Sequence, residues 1–149
     1  MKTIRAIIPA AGKGSRLQAV SGDLPKAMFP VGNRPMLDYV LENTSFIEKD
    51  DTYIVVGFGK DKVMEYLGDR YNYVEQKQQL GTGHAVMECA KAFEGFNGSV
   101  LITFGDMPLF RYEEMKAMCQ QHAESGADCT LMTAENPSLK LWARIIRDE

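Results

Sequence analysis

The chain has 149 residues, of which 45% are hydrophobic and 25% are charged. These values are typical of a soluble globular domain, exclude collagen, a coiled coil and bulk disorder, and predict a single domain. No apolar run approaches the roughly 20 residues that a membrane-spanning helix needs, so we expect no membrane partner. The three cysteines lack the spacing of a disulfide framework or a metal site. With no secretory signal in the sequence, this predicts a cytoplasmic location.

The charges are distributed unevenly along the chain. The formal net charge is −3, but residues 1–34 hold six basic residues and one acidic residue, a net +5. A weakly acidic chain is a poor candidate for a nucleic-acid coat, because that binding needs many phosphate contacts. The basic N-terminal part favours a small polyanion as ligand, and a chance distribution of solvated lysines is the alternative.

Hydrophobic periodicity predicts strands that alternate with helices. The predicted strands are residues 3–8, 52–56, 71–74, 99–104, 129–133 and 141–146. The predicted helices are residues 35–47, 61–67, 82–93 and 111–124, the second with Asp61 as its N-cap. This alternation is typical of an α/β domain with a mainly parallel sheet and flanking helices. Such sheets bind ligands at the carboxyl ends of their strands, so we expect the chemistry in the loops after the first and fourth strands.

A glycine-rich loop follows the first predicted strand. Residues 9–16 have the sequence Pro-Ala-Ala-Gly-Lys-Gly-Ser-Arg. Gly12 and Gly14 let backbone N–H groups approach phosphate oxygens, and Lys13 and Arg16 add positive charge. The loop is not a Walker A motif, in which a serine or threonine follows the lysine. It predicts a phosphate-binding loop, and a glycine-rich turn with exposed basic residues is the alternative.

A Leu-Pro-Lys segment occupies residues 24–26. Proline restricts the backbone immediately before Lys26 and so directs its ammonium group. An exposed loop lysine is the ordinary interpretation of such a segment. The phosphate-binding loop that precedes it favours a second contact to the same anion.

A polar segment with two glycines occupies residues 76–84, Gln-Lys-Gln-Gln-Leu-Gly-Thr-Gly-His. The amides of Gln76 and Gln79 each offer a donor and an acceptor, which matches the edge of a nucleobase. The alternative is a polar turn that leads into a helix capped by Thr82. In either case we expect His84 to form a structural hydrogen bond rather than to act in catalysis.

An acidic residue follows the fourth predicted strand, in the pair Gly105 and Asp106. A carboxylate held at the end of a buried strand suits Mg²⁺, which takes one or two carboxylates together with phosphate oxygens. A tight Gly-Asp turn without a ligand is the alternative.

Taken in order, these four segments resemble the sugar-phosphate nucleotidylyltransferase family. That family has an Ala-Ala-Gly-x-Gly-x-Arg loop, then Leu-Pro-Lys, a base-binding loop and Gly-Asp. The likeness is strongest to the pyrophosphorylase (uridylyltransferase) domain of bacterial UDP-N-acetylglucosamine pyrophosphorylases, and its most specific part is residues 79–85, Gln-Leu-Gly-Thr-Gly-His-Ala. The resemblance implies a Rossmann-like nucleotide-diphospho-sugar transferase fold. Residues 1–149 would be the N-terminal nucleotide-binding part of that domain, truncated at the C-terminus.

The resemblance also implies roles for individual residues. Lys13 and Arg16 would bind the β- and γ-phosphates, and Lys26 the α-phosphate and the attacking phosphate. Asp106 would bind Mg²⁺. Gln76 and the Gly81 backbone would contact uracil, with Gln79 nearby. The complete nucleotide-binding set is Ala10, Ala11, Gly12, Gly14, Gln76, Gln79, Gly81, Thr82 and Gly105.

The implied reaction joins a nucleoside triphosphate, UTP, to a sugar 1-phosphate, N-acetylglucosamine 1-phosphate, and yields an NDP-sugar and pyrophosphate. A phosphate oxygen attacks the α-phosphorus in line, so positioning and charge neutralisation carry the catalysis. Two departures from the family count against full activity. Ala143 replaces a glycine that approaches the sugar, and the chain ends before the second metal carboxylate. We therefore expect this chain to turn over poorly or not at all.

Three alternatives stay open at this point. The enzyme could use another nucleotide or another acceptor phosphate, or the chain could bind nucleotides in a regulatory or inactive role. A dinucleotide-binding or flavodoxin-like domain is disfavoured, because Leu17 stands where the dinucleotide fingerprint has a glycine or alanine. The oligomeric state is not predicted.

Overall fold

Short β-branched and apolar runs form the strands of the protein, as seen in a computed structural model that describes residues 3–15, 22–134 and 145. The strands are β1 (Ile4–Pro9), β2 (Pro30–Val31), β3 (Arg34–Pro35), β4 (Thr52–Val56), β5 (Asn72–Glu75) and β6 (Ser99–Ile102). The helices are α1 (Met36–Asn43), α2 (Lys60–Leu67), α3 (Thr82–Met87) and α4 (Tyr112–Ser125). Three 3₁₀ turns complete the described elements, at Lys26–Met28, Lys49–Asp51 and Ala90–Phe93.

The main sheet is parallel and has the strand order β5-β4-β1-β6. The chain therefore passes from β1 to β4 and β5 on one side, and then returns to the other side of β1 to form β6. In open α/β sheets such a reversal leaves a crevice at the carboxyl ends of the strands that flank it. The strand order thus directs attention to the loops after β1 and β6. The short strands β2 and β3 form a separate antiparallel pair, which the sequence analysis did not predict.

Three helices cover one face of the sheet. Ile8 of β1 and Ile54 of β4 belong to a buried apolar cluster with Leu37 of α1, Val63 of α2 and Met115 of α4. Each such side chain contributes about 1.5–3 kcal/mol when it is fully buried. This cluster fixes the sheet against the three helices.

The opposite face is covered by α3 and the 3₁₀ turn that follows it. Ile7 and Val55 alternate with the residues of the first cluster and pack with Ala85 and Cys89 on this side. Because both faces are covered, residues 6–8 of β1 and 54–56 of β4 are all apolar and buried, as is typical of parallel sheets. The predicted α/β fold with a parallel sheet and flanking helices is confirmed.

Two helix ends differ from the prediction by four residues or more, and two helix caps also differ. The first helix ends at Asn43, four residues earlier than predicted. There the Thr44 hydroxyl donates to the Val40 carbonyl at 2.9 Å and competes with the continuing helix. The helix predicted over residues 82–93 ends at Met87, and a 3₁₀ turn follows it. The caps of α2 and α3 are Gly59 and Gly81, which have positive φ, rather than Asp61 and Thr82.

The fifth predicted strand is wrong. Residues 129–133 have no regular structure, and the side chain of Leu131 is 67% exposed. An apolar run forms a strand only when a neighbour supplies ladder hydrogen bonds and a buried face, and within the described residues no strand pairs with the outer edge of β6. The sixth predicted strand, residues 141–146, lies outside the described residues except for Ile145. Among the described helices, none combines the length and the apolar character needed to cross a bilayer.

The burial of the cysteines gives a direct test of this fold. Cys89 and Cys119 are buried, whereas Cys129 is exposed. Burial raises the pKa of the Cys89 thiol to about 11 and also raises the pKa of Cys119, so both thiols resist ionisation. We expect a disulfide reagent at pH 8 to modify Cys129 rapidly and the other two thiols only after unfolding.

The reaction is followed as thiolate release with and without guanidinium chloride. Cys129→Ser is the matched control and should remove the rapid phase. Rapid modification of all three thiols in the native protein would contradict the packing described here.

Candidate active site

A cavity of about 220 Å³ opens at the carboxyl ends of β1 and β6. It lies where the strand order predicts a ligand crevice. Nine residues that were predicted to bind nucleotide, phosphate or metal line this cavity: Ala10, Ala11, Gly12, Lys26, Gln76, Gln79, Gly81, Thr82 and Asp106. The structure therefore brings together four segments that are separated by up to about 100 residues in sequence.

Backbone hydrogen bonds hold the loop after β1 against β4 and the loop that follows β4. The Ala10 N–H donates to the Val55 carbonyl at 2.8 Å, and the Phe58 N–H donates to the Ala11 carbonyl at 3.2 Å. Gly57 faces this loop, and a Cβ at that position would lie 2.8 Å from the Ala11 Cβ. Alanine and glycine at these positions are thus small enough for the backbones of the two loops to form hydrogen bonds with each other.

Lys26 connects the loop after β1 to the loop after β6. Its N–H donates to the Gly12 carbonyl at 3.1 Å, and its ammonium group forms an ion pair with the Asp106 carboxylate. Pro25, immediately before it, is buried and restricts the backbone that leads into Lys26. Gly14 has a φ of +65°, and a Cβ there would lie 2.9 Å from the Lys26 Cβ. Gly14 thus leaves room for the lysine.

Three of the predicted site residues do not line the cavity. Lys13 is exposed, and its Nζ lies 5.2 Å from the centroid of the Phe58 ring. Gly105 is buried, and its N–H donates to the Pro9 carbonyl at 3.0 Å, which extends the pairing of β6 with β1. Gly14 packs against Lys26, as described above. Arg16 lies outside the described residues.

The loop after β5, residues 76–81, is called the glutamine loop here, and it supplies amide groups to the cavity. Gln76 is only 3% exposed, and its Nε2 donates to the Gly81 carbonyl at 3.0 Å. The same Nε2 lies 3.0 Å from Nδ1 of His84. The Gln79 amide donates to the Gln76 carbonyl at 3.3 Å, which closes the loop on itself. His84 thus has the structural hydrogen bond expected from the sequence.

Asp106 supplies a carboxylate to the cavity. Within the described residues no group of three or more His, Cys, Asp or Glu side chains could hold a metal ion by itself. Mg²⁺ needs oxygen ligands and keeps several waters, and one carboxylate suffices when phosphate oxygens complete the set. The Asp106 carboxylate could therefore serve as one ligand of a Mg²⁺ ion whose other ligands are phosphate oxygens and waters.

Gly57 packs against residues that line the cavity, and the sequence did not predict this role. It follows β4 directly, and a glycine immediately after a strand is the signal that could have found it. The motifs singled out in the sequence follow the first, third and fourth predicted strands, whereas Gly57 follows the second. Gly57 lies where the loops after β1, β4 and β5 meet, since a Cβ there would also lie 2.9 Å from the Gln79 Nε2 and 3.0 Å from the Gln76 carbonyl oxygen.

We expect Gly57→Ala to reduce the stability of the protein by about 1–3 kcal/mol, because the new methyl group would overpack a position 2.8 Å from the Ala11 Cβ and 3.0 Å from the Gln76 carbonyl oxygen. Urea unfolding measures the change. Gly83→Ala is the matched control, since nothing lies within 4 Å of a Cβ at that helical position. The control should leave stability unchanged or raise it by about 0.5–1 kcal/mol. Equal stability of Gly57→Ala and the parent chain would show that the loops are not packed as described.

Solved structures of other proteins share this fold. A UDP-glucose pyrophosphorylase from Acinetobacter baumanii matches with a TM-score of 0.64 and 21% identity, over 84% of this chain and 54% of that chain. A mannose-1-phosphate geranyltransferase from Thermus thermophilus matches with a TM-score of 0.72 and 20% identity, over 86% of this chain and 39% of that chain. At this level of identity the likeness establishes the fold.

Curated relatives have a higher sequence identity to the chain than these solved structures have. The chain is 37% identical to the bifunctional protein GlmU of Acholeplasma laidlawii over 97% of its own length, and 38% identical to that of Symbiobacterium thermophilum over 99%. It spans 31% of the length of each of these relatives. The resemblance predicted from the four sequence segments is confirmed. Residues 6–147 match the model of the MobA-like NTP transferase domain, and the chain belongs to that family.

Proposed function

We propose that the chain is the nucleotide-binding part of a nucleotidyltransferase, which joins the nucleotidyl group of a nucleoside triphosphate to a sugar 1-phosphate and releases pyrophosphate. The observation that carries this proposal is the arrangement of the cavity. The paired charges of Lys26 and Asp106 lie in the same cavity as the buried amide of Gln76. Membership of the NTP transferase family supports the reaction class.

The strand order supports one orientation of the nucleotide in the cavity. The glutamine loop follows β5 at one edge of the sheet, whereas Asp106 follows β6 at the other edge. The small residues Ala10, Ala11 and Gly12 lie between these groups, after the central strand β1. A nucleotide would thus place its base at the glutamine loop and its phosphates toward Lys26 and Asp106, with the ribose over the loop after β1.

In the proposed reaction the residues of the chain neutralise charge rather than supply a nucleophile. Both the attacking phosphate and the departing pyrophosphate are anionic, so their approach is costly unless cations are already in place. Lys26 can donate to phosphate oxygens once its ion pair with Asp106 opens. Asp106 and the phosphate oxygens would hold Mg²⁺, which when bound neutralises charge that develops on the leaving group.

Uracil is the base that we propose for the glutamine loop, and N-acetylglucosamine 1-phosphate is the proposed acceptor. The support is the sequence Gln-Leu-Gly-Thr-Gly-His-Ala at residues 79–85 and the burial of Gln76, which a base edge would contact. A site that hydrogen-bonds a base loses affinity for a base with the wrong pattern, because buried polar groups are then left unpaired.

The metal proposal is tested with Asp106→Asn. This variant should bind UTP with the same affinity in the presence and absence of Mg²⁺, because the amide keeps the shape of the carboxylate but not its charge. Calorimetry with and without Mg²⁺ gives the comparison. Asp50→Asn is the matched control, since Asp50 precedes β4 at the opposite end of the sheet. Mg²⁺-dependent binding that survives in Asp106→Asn would refute the metal assignment.

The nucleotide proposal is tested by thermal protection. UTP at a saturating concentration should raise the melting temperature more than equal concentrations of ATP or GTP, since only a bound ligand stabilises the folded state. Better protection by a purine nucleotide would refute the uracil preference.

Turnover is then measured as pyrophosphate release from UTP, with and without N-acetylglucosamine 1-phosphate. Release that requires the sugar phosphate supports the complete reaction. Protection by UTP without release would assign nucleotide binding alone to this 149-residue chain, and an absence of protection by any nucleotide would overturn the proposed function.

A further inference from the structure

The side-chain amide of Gln76 has a hydrogen-bonding arrangement that leaves one atom without a partner. Its Nε2 carries two hydrogens, and two acceptors surround it. The Gly81 carbonyl oxygen lies 3.0 Å away and Nδ1 of His84 also lies 3.0 Å away. Among the hydrogen bonds of the described residues, none involves Oε1 of Gln76. Because the side chain is 3% exposed and lines the cavity, Oε1 is a buried acceptor that a ligand could satisfy.

The chemistry of the neighbours fixes which way the amide faces. A carbonyl oxygen can only accept, so the Gly81 carbonyl requires the NH₂ end of Gln76 on its side. The same NH₂ group faces Nδ1 of His84, which must therefore carry a lone pair. A proton on Nδ1 would set two N–H donors against each other.

The proton of the neutral imidazole then belongs on the other ring nitrogen. Nε2 of His84 lies 3.3 Å from Oε1 of Glu88, one helical turn later in the chain. An acceptor at that position favours the Nε2–H tautomer, because the hydrogen bond of one ring nitrogen sets the state of the other. Glu88, His84 and Gln76 thus form a chain of polar contacts that ends at the cavity.

We propose that His84 is a positioning residue for base selection. By accepting from Gln76, it holds the amide with Oε1 available to the ligand. An acceptor at this point favours a pyrimidine with an N–H at ring position 3, such as uracil. Cytosine has the same ring shape but carries a lone pair at that position, and it would leave two acceptors facing each other. This inference rests on the proposed function, since it specifies how the same cavity distinguishes its nucleotides.

The first test needs no nucleotide. Nitrogen-15 spectra of histidine-labelled protein at pH 8, where an ordinary imidazole is neutral, report the protonated nitrogen of each ring. The chain has two histidines, so in His122→Phe the only imidazole signals are those of Nδ1 and Nε2 of His84. We expect a protonated Nε2 and an unprotonated Nδ1. A proton on Nδ1 would overturn the proposal, whether or not the chain binds nucleotides.

The second test compares the dissociation constants of UTP and CTP by calorimetry. The parent chain should prefer UTP. His84→Phe removes the acceptor and should reduce the ratio of the CTP to the UTP dissociation constant by about fivefold or more, the factor that corresponds to one ordinary hydrogen bond. His84→Asn should keep most of the ratio, because its Oδ1 can accept close to the position of Nδ1.

His122→Phe is the matched control for the loss of an imidazole. His122 lies on α4, where its Nδ1 is 2.9 Å from the Thr130 hydroxyl, and it does not line the cavity. Its replacement should leave the ratio unchanged. A merely structural role of His84 would lower both affinities together and would not be rescued selectively by asparagine.

The outcomes separate the two proposals. A UTP preference that survives in His84→Phe overturns the role of His84 and leaves the proposed function in place. A parent chain that binds neither UTP nor CTP overturns the proposed function and, with it, the role of His84. If His84→Phe fails to fold, the tautomer in the parent chain still decides the proposal.

Discussion

β1 pairs in parallel with β4 on one side and with β6 on the other, and this double pairing determines where the functional groups lie. Parallel pairing puts the carboxyl ends of all three strands on the same side of the sheet, so the loops that follow these strands lie next to one another. Residues 6–8 of β1 are buried because helices cover both faces. The loop after β1 is therefore held between its neighbours, and the cavity forms around it.

The loops can share that space because several of their residues are small. Ala10 and Ala11 are buried at the end of β1, and Gly57 and Gly105 fit where a Cβ would meet atoms of neighbouring residues at about 3 Å. Larger side chains would separate the loops and remove the backbone hydrogen bonds that join them. The close approach also lets the Lys26 ammonium group reach the Asp106 carboxylate. The same packing thus forms the cavity and places its charges.

Two kinds of polar group line the cavity, and they differ in how they are held. The charges of Lys26 and Asp106 pair with each other at a partly exposed position, where water can also solvate them. The amide of Gln76 is buried, so each of its hydrogen bonds matters, because a buried polar group without a partner is costly. A partly exposed pair of charges suits anions and metal ions, whereas a buried amide suits the defined edge of a base.

The sequence by itself determined the α/β class, the four main strands and most of the residues that line the cavity. Strand and helix periods are local properties, and glycine, proline and charged residues at strand ends are visible without a structure. Only the tertiary structure decided what depends on neighbours distant in sequence. Residues 129–133 have the composition of a strand but no partner among the described residues, and Gly57 gains its role from loops that meet it in space. The orientation of the Gln76 amide depends on His84 and the Gly81 carbonyl, because an amide has two different ends and only the surrounding donors and acceptors distinguish them.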